Sequence, residues 1–117
     1  MIFNFDKYFS NKSSCKELND NDCCRIAAYF TQNGCCYVTG RVLKERDREL
    51  HHRLPKSLGG KDAPENLIYL LSAIHKMVHT DNAEDFKNNV TALNLTAFEI
   101  FKVNQLRIEA HKPIFIV

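Results

Sequence analysis

Between residues 48 and 79 the chain passes from two strand-like runs to a helical period, and this stretch restricts the fold more than any other. Residues 48–54, Arg48-Glu49-Leu50-His51-His52-Arg53-Leu54, have strand character. Pro55 and the Gly59-Gly60 pair then break regular structure. Leu67-Ile68-Tyr69-Leu70-Leu71 is an apolar run of strand length, so the two runs are expected to form a hairpin with a long loop. Ser72 stands where it can cap a following helix, which carries Ile74 and Val78 on one stripe and His75 and His79 on the next. The order is strand, loop, strand, helix.

The flanks are helical. Asp22 is placed to cap a helix that directs Ile26, Ala27, Tyr29 and Phe30 to a core and stops at Asn33-Gly34. Cys36-Tyr37-Val38-Thr39-Gly40 looks like a short extended piece ending in a turn. Asp81 with Glu84, and Thr96 with Glu99, have capping-box spacing and predict helices over 82–93 and 97–110. Phe86, Phe98, Phe101 and Leu106 recur at helical spacing, which fits core packing better than a base-stacking surface. The closing Ile114-Phe115-Ile116-Val117 has strand character and is a candidate partner for Ile2-Phe3-Asn4-Phe5. At 117 residues the chain has the size of a single domain. Its expected class is α+β: an N-terminal extension over 1–34 with one helix, a core over 35–80 and a helical part over 81–117.

Composition narrows the function classes. Apolar residues at 44% and charged residues at 26% fit a folded globular protein. No apolar run approaches the roughly 20 residues needed to span a bilayer, and Met1 to Asp6 lack the basic and apolar regions of a signal peptide. A cytoplasmic protein without a membrane partner is the expectation. Net charge is only +2, so contact with a polyanion must rest on local charge; residues 41–61 hold seven Lys/Arg against three acids. The five cysteines include two adjacent pairs, Cys23-Cys24 and Cys35-Cys36, and no C-x-x-C knuckle. That pattern suits reduced thiols better than a disulfide framework or a zinc ribbon.

Four of the five histidines lie between 51 and 79. Residues four apart on a helix differ by about 6 Å of rise, so His75 and His79 can offer two imidazoles to one ion. Neighbours on a strand point to opposite faces, so His51 and His52 divide naturally into one ligand and one separate base. Phosphodiester hydrolysis asks for these parts: a neutral histidine to deprotonate water, and a cation to stabilise the phosphoryl and leaving oxygens. A base must be held in one tautomer, and the amide of Asn66 is a candidate for that task. Arg53, Lys56, Lys61 and Lys76 are candidates to grip phosphates without reading sequence.

The segment Glu49-Leu50-His51-His52-Arg53-Leu54-Pro55, followed by Gly59-Gly60, Asn66-Leu67, His75 and His79, resembles the HNH endonucleases. The gaps of 14 residues from His52 to Asn66, nine to His75 and four to His79 are similar to those of the family's ββα-metal, or His-Me finger, motif. The resemblance implies a ββα-metal core with flanking helices, and one divalent ion, Mg2+, Mn2+, Ni2+ or Zn2+, held by His51, His75 and His79. It implies His52 as general base and Asn66 as the residue that holds it. In some members the last helix residue contacts phosphate instead of metal, which leaves two roles open for His79.

Cys36-Tyr37-Val38-Thr39-Gly40 and Val103-Asn104-Gln105-Leu106-Arg107 extend the likeness toward the HNH domain of group II intron-encoded proteins. A reverse transcriptase and paired cysteine knuckles are missing, so a free-standing nuclease of bacterial or phage origin, in a mobile element or in defence, is the expectation. DNA is the expected substrate, without excluding RNA. A single centre nicks one strand, and double-strand breaks need a second copy or a recruiting partner. The rival expectation is a weakly active or inactive nucleic-acid-binding module of the same fold.

Overall fold

A computed structural model describes residues 20–117. Helix α1 (Asp20–Thr31) is followed by strand β1 (Arg48–His52), single helical turns at Lys56–Leu58 and Pro64–Asn66, and strand β2 (Leu67–Leu71). Three helices complete the chain: α2 (Ser72–His79), α3 (Ala83–Leu93) and α4 (Ala97–Glu109). The fold is a small α+β arrangement around a two-stranded antiparallel sheet. Arg48 pairs with Leu71, His51 with Ile68 and His52 with Leu67.

Strand β2 buries residues on both faces, as its unbroken apolar run requires, with Leu67, Ile68 and Leu70 nearly inaccessible. Ile68 and Leu70 join Ile74, Met77, Val78, Phe86, Val103 and Leu106 in the core. Along β2 the side chain of Gln32 stands in for a further strand. Its amide accepts from Tyr69 N at 2.8 Å and donates to Tyr69 O at 2.8 Å.

Several local expectations are corrected. Helix α1 begins by Asp20, so Asp22 lies inside it and is not its cap. Its end is as expected, with Asn33 and Gly34 in the left-handed region at φ 53° and 68°. Residues 36–40 form a tight turn instead of an extended piece: Gly40 N donates to Cys36 O at 2.9 Å, and Cys35 bridges Val42. Gly40, at φ 71°, permits the reversal, and Cys36 and Val38 turn into the core. The first strand stops at His52, because Arg53 N already bonds Asn66 O at 2.8 Å where the loop turns away.

Ser72 is the first residue of α2 and makes no cap; its hydroxyl donates to Asp47 O at 3.3 Å. Asn82, not Asp81, caps α3 by accepting from Glu84 N and Asp85 N, while Asp81 pairs with Lys112 at 3.0 Å. The Thr96 and Glu99 capping box is present. Residues 114–117 form no strand among the described residues; Phe115 is tied to Asn104 through two hydrogen bonds at 2.9 and 3.0 Å. The proposed partner, residues 2–5, lies outside the described residues. Phe86 and Leu106 are core, but Phe98 and Phe101 are not.

The most demanding buried group is Arg107, fully inaccessible on α4. Its Nη1 donates to the carbonyls of Met77, Val78 and Thr80 at 2.9, 3.1 and 2.7 Å, and Nε to Pro113 O at 2.7 Å. These include carbonyls that the end of a helix leaves without an internal partner, so Arg107 closes the C-terminus of α2 with a favourable charge. The guanidinium also stacks 4.3 Å from the Phe115 ring centre. Arg107→Leu should strip several buried carbonyls of their donor and cost about 3 kcal/mol or more. Urea unfolding checks this, and Arg107→Lys, with one compact ammonium in place of a planar fork, should recover only part of the loss.

Candidate metal centre

His51 and Glu49 sit two residues apart on β1 and so share a face, which is the face that meets α2. His51 is 1% exposed. Because α2 starts directly where β2 ends, its direction is set by the sheet, and His75 and His79 project one turn apart toward His51. The three ring centres lie 5.3, 5.2 and 4.7 Å apart. A ligand nitrogen from each ring can be chosen so that all lie within 4.8 Å of one another, close enough to hold one metal ion. His75 Nε2 and His79 Nε2 are 3.2 Å apart. Two nitrogens each about 2 Å from a tetrahedral ion stand roughly 3.3 Å from each other, so this pair fits such a ligand set.

The protonation of the cluster suits a cation. Burial, then the neighbouring His75 and His79, push His51 down to about 3, and burial also lowers His79. His51 is therefore neutral near pH 7. Its Nε2 is buried without a hydrogen-bond partner among the described residues. An orphaned nitrogen of this kind is costly in an empty pocket and is satisfied by a ligand that accepts its lone pair. Glu49 Oε1 stands 2.8 Å from His75 Nδ1. The adjacent Ser72 hydroxyl and the His75 imidazole hold the Glu49 carboxyl below its ordinary range, so the ionised carboxylate accepts from His75 Nδ1–H and leaves Nε2 as an electron-pair donor.

His52 points the other way, as strand geometry requires, and keeps 20% of its side chain exposed. The side chain of the expected partner, Asn66, makes its hydrogen bonds elsewhere. Asn66 Oδ1 accepts from Leu54 N at 2.8 Å, and Nδ2 donates to the carbonyls of Leu54 and Lys61 at 3.1 and 2.9 Å. Asn66 thus staples the loop that follows His52. Gly60 completes the close approach, since a Cβ there would fall 1.7 Å from Leu54 O. The residue that reaches His52 is Asp62, with Oδ1 2.6 Å from Nε2. That hydrogen bond, and a second from Lys56, lower the Asp62 pKa.

Of the four basic residues singled out from sequence, two are engaged. Arg53 pairs with Glu109 at 3.1 Å and donates to Tyr37 Oη at 2.8 Å, and Lys56 pairs with Asp62 at 3.0 Å. Lys61 and Lys76 are exposed. Lys76 shares with His79 and Thr80 the wall of an open cleft of about 490 Å³. Glu49 and Asp62 were not among the site residues expected from sequence. Glu49 carried a usable signal, being two positions before His51 on one strand face, whereas Asp62 is brought to His52 only by loop closure.

No protein-family model, characterised protein or solved structure matches this chain. The properties of the cluster set a pH dependence. An unfolded imidazole titrates near 6.5 and folded His51 near 3. Between these values the unfolded chain binds more protons, so the stability is fully present above about pH 6.5 and is lost as the pH falls. In EDTA, unfolding free energy should drop by about 2 kcal/mol from pH 7 to pH 5 on this account. His51→Leu should remove the larger part of that slope; equal slopes would contradict a buried neutral imidazole.

Proposed function

We propose that this chain is a divalent-metal-dependent nuclease of the HNH type that hydrolyses DNA phosphodiester bonds, one strand at each centre. The observation that carries the reading is the buried, unpartnered Nε2 of His51 beside two helix imidazoles, one of them anchored by Glu49. His51, His75 and His79 would hold the ion. When bound, a divalent ion at such a site supplies Lewis acidity to phosphoryl and leaving oxygens. His79 on this reading is a ligand and not a phosphate contact, because its nitrogen lies against that of His75.

His52 acts as the general base. With ionised Asp62 on Nε2, the hydrogen-bond network assigns the ring proton to that nitrogen and leaves Nδ1 to accept a proton from water. Asp62 then steadies the imidazolium as it forms, and Lys56 keeps Asp62 ionised. Asn66 contributes indirectly, by fixing the backbone that follows the base. Lys76 and Lys61 remain available to phosphates beside the helix and on the loop. A cytoplasmic setting in a bacterial or phage-infected cell, as a mobile-element or defence nuclease, is part of the same proposal.

A second reading follows from one observation: Asp62 sits on the nitrogen that a base would use if Nε2 faced the water. The protein would then bind nucleic acid with little turnover. Supercoiled plasmid incubated with Mg2+, Mn2+, Ni2+ or Zn2+ separates the two. The nuclease should produce nicked circles before linear DNA, His52→Ala should lose about 10² to 10⁴ in rate, and Glu49→Gln should raise the metal concentration needed for half-maximal cleavage by about 10- to 100-fold. Asp62→Asn should slow cleavage. A faster Asp62→Asn protein would instead mark Asp62 as a block on the base, and binding without cleavage in every metal would favour the second reading.

A further inference from the structure

Phe98 is 64% exposed and Phe101 62%, although their spacing assigns them to the core. They stand three residues apart on α4 as a near-parallel pair, with rings 12° from parallel and centres 6.5 Å apart. Lys102 Nζ lies 4.9 Å from the Phe98 ring centre and 5.6 Å from that of Tyr37, donates to Tyr37 O at 3.4 Å, and pairs with no carboxylate among the described residues. The Arg53 guanidinium covers Tyr37 at 4.9 Å. These five side chains line a cleft of about 220 Å³, and Arg53 is the residue directly after His52.

The chemistry selects one class of occupant. An apolar protein surface set against Phe98 and Phe101 would bury the Lys102 ammonium without a counter-charge, which is costly. A nucleotide supplies both complements, a flat π face for the rings and a phosphate for the ammonium. Bases inside a duplex have their faces covered by their neighbours, so the nucleotide must be unpaired. We propose that the cleft binds an unpaired nucleobase of a DNA strand, with Lys102 on its phosphate and Arg53, held by Glu109 and Tyr37, as the wall that is next to His52 in the chain. The inference rests on the nuclease reading and deepens it: the substrate has single-stranded character next to the cut.

Fluorescence anisotropy on the full chain in EDTA, with a short labelled oligothymidylate and a duplex of equal length, tests this apart from cleavage. The single strand should bind more tightly than the duplex. Phe98→Ala and Phe101→Ala should each weaken it by at least about fivefold, with melting temperature unchanged because both rings are exposed. Lys102→Ala should weaken binding and lower the salt dependence by about one phosphate contact. A Phe98→Ala/Phe101→Ala protein with wild-type affinity, or a duplex bound as tightly as the single strand, overturns the proposal. So does a double variant that only converts a dimer to a monomer in sedimentation, which would make the face a self-interface. Metal-dependent plasmid cleavage with phenylalanine-independent binding removes the cleft and leaves the nuclease. Phenylalanine-dependent binding by a protein that cuts nothing keeps the cleft and removes the nuclease.

Discussion

Burying an imidazole whose ring nitrogen has no hydrogen-bond partner works against folding, and the packing of β1 against α2 enforces that burial at His51. The rest of the site is arranged around this nitrogen. The antiparallel register sets His51 opposite Ile68, three residues before the last position of β2. Helix α2 follows β2 without a linker, so the sheet also determines where His75 and His79 point. Arg107 closes the far end of that short helix by binding its terminal carbonyls from α4. A helix of eight residues would be marginal alone, and its two histidines stay in place because both of its ends are held.

Strand alternation then separates two kinds of chemistry. One face of β1 carries Glu49 and His51 to the electron-pair donors of the cluster, and the other carries His52 to Asp62 and solvent. Each side has one carboxylate bonded to one imidazole. On the proposed function, Glu49 fixes a ring so that it can offer a lone pair to a cation, while Asp62 fixes a ring so that it can take a proton. The same pairing of residue types thus serves two ends, and what differs is the face and the burial.

The elements with strong periodic or capping signals were legible in the sequence. The two strands, the helix carrying His75 and His79, and the Thr96 capping box all follow from spacing that local physics enforces. Convergence of His51 with the helix pair was legible too, because alternation on a strand and one turn of a helix leave little freedom. Partners supplied by loop closure were not. Asp62 reaches His52 across a loop that Gly60 and Asn66 fold back on Leu54, and no periodicity encodes that closure. Helical spacing misplaced Phe98 and Phe101 because it identifies a stripe without saying whether a neighbour covers it. Asp81 and Ser72 matched cap patterns, yet Asn82 took the α3 cap and the Ser72 hydroxyl turned to Asp47.

The cysteines bear on which side chains would hold an ion, since Cys23, Cys24, Cys35 and Cys36 are free thiols and sulfur is the competing ligand for a soft divalent ion. Cys36 is buried in the core and receives a hydrogen bond from Leu71 N at 3.5 Å, which occupies it away from the histidines. X-ray absorption at the zinc edge, on protein loaded with an equimolar amount of Zn2+, distinguishes the donors directly. Convergence of His51, His75 and His79 on one ion predicts a shell of three imidazole nitrogens at about 2.0 Å that loses one imidazole in His51→Ala. A sulfur scatterer at about 2.3 Å, or a shell unchanged by that substitution, would contradict it.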